Sequence, residues 1–338
     1  MIFVVGNSRS GTTMMGRILG KHPGVYTFGE LHFFGQLCAP PFLLKLSRKM
    51  AEELASELLC IQREGYRTHG DSRRFLGEAQ VFLERLTIYP ETPASLFEAF
   101  LYHEAAENDK TIPCDQTPRN VFYIADILEL YPNARVINMI RDPRDVLLSQ
   151  KRKWKRRSLG GSDLPIKELL RDWVNYHPIT ISHIWRTAVN AADGFAKHDR
   201  VISVYFEELL MHPERTVKSL CDFVGITYAD EMLQVPQVGS SVAADQPQQL
   251  GINPHRAHSW HSDTNGGELS SAEIYLNEKI NAALMEKHNY SPVSTQPNVA
   301  SLMLHLLTFP VKLGGAFLFN LDRMKNIRET LKRRIFKY

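Results

Sequence analysis

The residues best suited to chemistry in this chain lie in Ile2-Phe-Val-Val-Gly6-Asn-Ser8-Arg9-Ser10-Gly11-Thr12-Thr13. Apolar residues with strand character run into a glycine-bounded loop. The loop opens a helical pattern with Met14, Met15, Ile18 and Leu19 on one stripe. A strand, loop and helix in that order aim several backbone N–H groups and the positive end of a helix dipole at one point, where phosphate or sulfate binds. The glycine spacing is that of a nucleotide-triphosphate loop, but Thr12 stands where such a loop has its lysine. The sequence keeps an anion cradle and drops the cation that reaches the β and γ phosphates.

A second anion site can be read from Arg135-Val-Ile-Asn-Met-Ile140-Arg141-Asp142-Pro143-Arg144-Asp145-Val-Leu-Leu-Ser149. A buried strand ends at Ile140. Asp142 suits a helix N-cap, Pro143 the first helical position and Asp145 the third. Arg141 then stands at the C-terminal edge of a strand, where α/β folds bind ligands, and Ser149 lies two turns into the next helix. A guanidinium and a hydroxyl so placed can grip one tetrahedral anion. Taken alone, Arg141 can equally serve to tie down the helix start. Glu30, after the apolar run Val25–Phe28, brings a carboxylate to the same sheet edge if that run is a second strand beside the first.

The elements that must position these groups alternate. Strands are expected at Ile2–Val5, Gly24–Phe28, Arg135–Ile140 and Val201–Tyr205, with helical patterns between them. This is an α/β pattern: a single P-loop-type domain over residues 1–292, its central parallel sheet flanked by helices. A helical insert is expected at about 42–108, near the active-site end of the sheet. Residues 236–268 read as a long loop. The last segment, 293–338, reads as a basic amphipathic tail in which Leu302, Leu306, Phe309 and Leu313 lead into Leu321, Met324, Leu331 and Ile335. Such a tail can lie on an anionic membrane surface or pack on the domain with its basic face in water. His305, Pro310 and Lys312 make Val299–Phe319 a poor spanning helix.

With 338 residues, 43% hydrophobic and 23% charged, the chain has the composition of a soluble globular protein with a large core. A net charge of +3 gives no ground for a nucleic-acid partner. Cys38, Cys60, Cys114 and Cys221 are scattered without a CxxC pair, which fits a reducing compartment and neither a zinc site nor a disulfide scaffold. Strand residues begin at Ile2, so no signal peptide is expected and the cytoplasm is the expected location. His255, His258 and His261 recur every three residues, but no carboxylate or cysteine joins them, and no metal is expected.

Together, a lysine-less phosphate loop and RDPRDVxxS after a later strand resemble the two nucleotide motifs of the sulfotransferases. In that family the first holds the 5′-phosphosulfate and the second the 3′-phosphate of 3′-phosphoadenosine-5′-phosphosulfate (PAPS). Arg9-Ser-Gly-Thr-Thr-Met-Met with His22-Pro23 and Gly29-Glu30 resembles the tyrosylprotein sulfotransferases and related bacterial enzymes. Cys114-Asp-Gln-Thr-Pro118 resembles their EKTP or NKDP segment. Val204-Tyr-Phe206-Glu207-Glu208-Leu209, with Phe223-Val-Gly225-Ile, resembles their YEDL and FLGI segments. The likeness runs in order over roughly residues 1–290.

The resemblance implies PAPS as co-substrate, no metal, and sulfuryl transfer to a hydroxyl or amine of a glycan, lipid or peptide. Ser8, Arg9, Ser10, Gly11, Thr12 and Thr13 would hold the phosphosulfate, and Arg141 and Ser149 the 3′-phosphate. Arg256, in a loop expected to close over the nucleotide, would be a further contact, with Ser259 beside it. Donors aimed at the developing charge, Arg9 among them, are each worth about 2.7–4 kcal/mol of barrier by analogy with oxyanion holes. Glu30 would be the catalytic base, worth about 10²–10⁴-fold, with His32 a lesser candidate. Lys151-Arg-Lys-Trp154-Lys-Arg-Arg157 is most simply a solvated helix end, and its position after Ser149 would also attract an anionic donor or acceptor.

Two departures matter. Gln116 stands where relatives have a lysine that stabilises the transferred or leaving group, and Arg9, Arg119 or Arg256 would have to supply that charge. Phe206 replaces the tyrosine of YEDL. Two other functions fit parts of the pattern: a P-loop kinase with a degenerate loop, and a non-catalytic nucleotide-binding or membrane-associated adaptor. Acceptor and oligomeric state stay open.

Overall fold

The apolar run at the N-terminus becomes the middle of a five-stranded parallel sheet. In the computed structural model, which describes residues 1–66, 70–155, 166–239, 245–261, 268–293 and 295–320, the strands are β1 (Ile2–Gly6), β2 (Val25–Thr27), β3 (Ile112–Asp115), β4 (Arg135–Ile140) and β5 (Val201–Tyr205). They pair in the order β2-β3-β1-β4-β5. The α/β class and four of these strands follow the hydrophobic pattern. β3 does not. It lies between β1 and β2, so β2 is one strand removed from β1 and not beside it as expected. Ile112-Pro-Cys-Asp is short and contains a proline, which argues against a central strand. The fold tolerates it because β3 pairs with β1 only from Cys114 onward.

The connecting helices are α1 (Thr12–Gly20), α2 (Arg48–Glu64), α3 (Leu76–Arg85) and α4 (Pro93–Ala106) before β3, and α5 (Ile124–Leu130) before β4. Then come α6 (Pro143–Lys151), α7 (Ile166–Asn175) and α8 (Pro178–Asp193) before β5. After it follow α9 (Phe206–Met211), α10 (Pro213–Val224), α11 (Ser271–Lys287) and α12 (Val299–Phe319). Residues 236–268, read as loop, include a small antiparallel pair, β6 (Pro236–Gln237) with β7 (Gln246–Leu250).

Successive residues of a strand face opposite layers. Phe3 and Val5 of β1 join one core with residues of α2 and α4, while Ile2 and Val4 join another with α1, α9 and α10. The helical stretch expected at 42–108 supplies α2, α3 and α4. These form the connection from β2 to β3 and share the core beneath β1. The Phe33 and Phe97 rings stack at 4.1 Å, and Phe34 and Phe42 pack edge-on at 5.1 Å. That aromatic cluster clamps the segment just after Glu30. In the C-terminal segment α12 runs through Pro310 without a break, and residues from Leu321 lie outside those described.

Phe97→Ala should destabilise the fold by about 3–5 kcal/mol, read from urea unfolding, because the rings stacked on it cannot refill the space.

Candidate active site

From β1 the chain winds to one side through β2 and β3, then crosses to the other through β4 and β5. The loops leaving β1 and β4 therefore diverge from adjacent strand ends and open a crevice, the usual ligand position in such sheets. Two glycines make the approach possible. A Cβ on Gly6, at φ +142°, would lie 2.4 Å from the Met139 carbonyl oxygen of β4. A Cβ on Gly11, at φ +94°, would lie 2.3 Å from the Phe206 ring. Gly11 is also the N-cap of α1, and no side chain caps that helix start. The first amides of α1 have no acceptor in their own helix and point into the crevice.

Phe206 joins the two expected anion sites. One part of its ring lies against Gly11, and the Arg141 guanidinium sits over the ring 4.5 Å from its centroid. Arg141 also donates to the Arg9 carbonyl at 3.2 Å and to the Arg256 carbonyl at 3.5 Å. Arg9 in turn donates from Nε to Ser149 Oγ at 2.9 Å and to the Gly239 carbonyl at 3.2 Å. Arg9 holds a left-handed backbone, φ 75°, a conformation that costs energy and recurs at functional sites. Thus Arg9, Gly11, Arg141, Ser149 and Arg256 are gathered at one place, from three separate stretches of chain. Burial lowers the Arg256 pKa, and the charges of Arg141 and Arg17 push it further the same way against Asp245.

Two donor atoms at this junction lack a protein partner. Ser10 Oγ and Arg141 Nε are buried without an acceptor. Buried polar groups are ordinarily bonded, so this donor set fits an anionic ligand. Thr12 is buried in the first turn of α1, while Thr13 and Ser8 face solvent.

The start of α6 is built as expected. Asp142 caps it by accepting from the Arg144 N–H, and Pro143 follows. Arg144 is held by Asp142, Glu278 and the Ser291 carbonyl, with Trp260 against its face at 3.9 Å. Asp145 accepts from the Trp260 N–H at 3.0 Å. Burial pushes its carboxyl up to about 6 against the charge of Arg141. The loop carrying Arg256 and Trp260 is thereby fastened to α6. Glu207, beside Phe206, accepts from the Asp142 N–H at 2.9 Å and from the Tyr290 hydroxyl at 3.0 Å. This bracing role was not legible in the sequence.

Glu30 lies beyond the end of β2, with 41% of its side chain exposed, and its Oε2 is 3.0 Å from His32 Nε2. Burial alone would raise its pKa. The hydrogen bond and charge of His32, with the charges of Lys153 and Arg9, hold it below the usual 4.5. Glu30 is therefore a carboxylate at neutral pH. His32 adopts φ 53°, and its ring packs on Tyr66 at 3.9 Å. Beneath them Thr117 Oγ1 accepts from the Leu31 N–H at 3.1 Å and donates to Asp115 at 2.8 Å, while Asn120 donates to the other Asp115 oxygen at 2.7 Å. Burial raises Asp115 to about 7, and Glu30 adds to the rise against those two hydrogen bonds.

Gln116 is buried against Gly16 of α1, its Oε1 without a partner. Of the cations expected to replace the missing lysine, Arg9 acts on Glu30. Besides His32, so does Lys153, which the sequence offered only within a basic run. Lys153 also pairs with Asp172 at 3.0 Å. Trp154 is largely exposed, with Lys155 near its ring. Arg156 and Arg157 lie outside the described residues. Among the described residues no three His, Cys, Asp or Glu side chains are grouped to hold a metal.

A model described as the sulfotransferase family matches residues 2–230. The chain belongs to the sulfotransferase family. A protein-tyrosine sulfotransferase of Drosophila melanogaster is 25% identical over 236 residues, 69% of this chain and 39% of that protein. Protein-tyrosine sulfotransferase 2 of Gallus gallus is 23% identical over 236 residues, 69% of this chain and 53% of that protein. The chain thus spans roughly half or less of either relative's length. Among solved structures, the sulfotransferase domain of the Synechococcus PCC 7002 olefin synthase superposes with a TM-score of 0.50 at 21% identity, covering 82% of this chain and 93% of that one. That likeness bears on the fold. The family and the sheet together support sulfuryl transfer as the general chemistry.

Two outcomes are expected. Arg141→Ala should weaken binding of adenosine 3′,5′-bisphosphate about 10–100-fold by calorimetry, the loss of charge-assisted hydrogen bonds. The Asp115 pKa is raised in the fold, so the folded chain takes up that proton more readily than the unfolded one. Its ionisation withdraws stability as pH climbs from about 4 to about 7, and the full penalty stands above that. The urea midpoint of Asp115→Asn should therefore fall less than that of the wild type between these pH values.

Proposed function

We propose that this protein transfers a sulfuryl group from PAPS to a hydroxyl, or an amine, of a glycan, lipid or peptide acceptor, with Glu30 as general base. The observation that carries the proposal is the meeting of Gly11 and Arg141 at the Phe206 ring. One pocket then offers helix-start amides and an arginine to a single doubly anionic molecule.

In this reading the amides at Gly11, Thr12 and Thr13, the hydroxyls of Ser8, Ser10, Thr12 and Thr13, and Arg9 hold the phosphosulfate. Arg141, Ser149 and Arg256 hold the 3′-phosphate. The acceptor oxygen attacks sulfur in line and forms the new S–O bond as the bond from sulfur to the bridging phosphate oxygen breaks. Glu30 takes the acceptor proton, and adenosine 3′,5′-bisphosphate leaves with the electron pair. Charge develops on the bridging oxygen, where preorganised donors lower the barrier. His32 first, then Lys153 and Arg9, keep Glu30 ionised, and Lys153 and Arg9 carry the positive charge that the amide of Gln116 lacks. Residues 1–292 act as the transfer domain and 293–338 as an appended segment. The scattered cysteines, without a CxxC pair, support a reducing compartment such as the cytoplasm.

The acceptor pool is found by incubating the protein with labelled PAPS and a lysate separated into lipid, glycan and protein fractions. Glu30→Gln should bind adenosine 3′,5′-bisphosphate as the wild type does and lose about 10²–10⁴-fold in transfer to the labelled pool. Full transfer by that variant would assign the base elsewhere.

A further inference from the structure

The helix α12 has its polarity inside out. A helix on a globular protein ordinarily turns apolar residues inward and polar ones to water. Here every exposed residue from Val299 to Phe319 is apolar, with Val299, Met303, Leu307, Val311 and Leu318 along the outer side. Leu307 and Val311 are 70% and 75% exposed. The four polar residues, Ser301, His305, Thr308 and Lys312, all stand at part-buried positions. On the neighbouring α7, Leu170 and Trp173 are also exposed.

The inner side of α12 is fastened along α7 and at the start of α8. His177 Nε2 is 3.1 Å from the His305 carbonyl oxygen, and the Lys312 ammonium lies 3.4 Å from the centre of the Trp173 ring. Arg171 donates to the Phe319 carbonyl at 2.9 Å, and Asn320 donates to Asn175 at 2.8 Å. By length and composition α12 could cross a membrane, but held lengthwise against the domain it can only lie in the plane of one. The sequence that follows selects the kind of surface. Residues 321–338 contain seven Lys or Arg against one Asp and one Glu. A basic segment directly after an apolar helix matches an anionic lipid headgroup layer.

We infer that α12 is a docking helix whose outer face enters the boundary layer of an anionic lipid membrane, with residues 321–338 supplying the electrostatic attraction. Docking also bears on the site. Asp172, next to Trp173 on α7, pairs with Lys153, whose charge acts on Glu30. The docked surface and the catalytic carboxylate are thus linked across a single helix.

The test uses the full chain and does not depend on turnover. Sedimentation with vesicles of phosphatidylcholine alone, or mixed with phosphatidylserine, should show binding to the mixed vesicles that weakens with added salt. The double variant Leu307→Glu, Val311→Glu should bind them roughly tenfold or more weakly, since each carboxylate enters the apolar layer. Its melting temperature and its affinity for adenosine 3′,5′-bisphosphate should match the wild type, because both positions face outward. Leu307→Trp should be quenched by brominated acyl chains. Three results would overturn the inference: no binding of the wild type to phosphatidylserine vesicles, equal binding by the double variant, or a wild-type dimer that the double variant abolishes without change in vesicle binding.

Discussion

The site rests on the contact of the Arg141 guanidinium with the face of Phe206, because that ring also backs the turn at Gly11. A cation over an aromatic face is attracted by the ring's quadrupole, more strongly where water is excluded. Here the contact sets the distance between two loops that leave different strands. Arg141 then bonds the backbone of Arg9 in one loop and of Arg256 in another. Phe206 in place of a tyrosine gives up a hydroxyl and keeps the ring. The neighbouring Glu207 braces the same junction from below through the Asp142 amide. The VYFEEL stretch thus holds the two anion sites in register.

Around Glu30 the governing quantity is charge. A carboxylate in a crevice tends to take up a proton, and a protonated base is useless for removing one. His32, Lys153 and Arg9 reverse that tendency. Asp115 lies deeper, has no cation beside it among the described residues, and carries the opposite shift. Two acids joined through Thr117 and the Leu31 amide are thereby pushed apart in pKa, the pattern by which folds divide roles between acidic groups. Gln116 fits this arrangement as a neutral neighbour, since the positive charge around Glu30 comes from other elements.

At the far side of α7 the same fold presents an apolar helix face outward. Burial of Leu or Val side chains is worth about 1.5–3 kcal/mol each, so leaving several in water is costly unless something covers them. Lys312, the His305 and Phe309 rings and the carbonyls of His305 and Phe319 bind α12 to the domain, which fixes which side remains outward.

Local patterns determined much of this protein. The strand at Ile2–Gly6, the glycine turn and the helix after it are specified by residue type alone, as are the Asp142 cap and the strand before it. The two anion motifs were legible because their residues are consecutive. What needed the tertiary structure were relations between distant positions. β3 was hidden by Pro113, and so was its insertion between β1 and β2, since pairing partners and not propensity make Ile112–Asp115 a strand. Lys153 looked like one charge in a solvated run until packing brought it within reach of Glu30. The inverted α12 was obscured because an apolar stretch with a few polar residues reads the same whichever side faces the domain. Residue types state what a segment can bind; only the packing of other segments decides which face is left to do it.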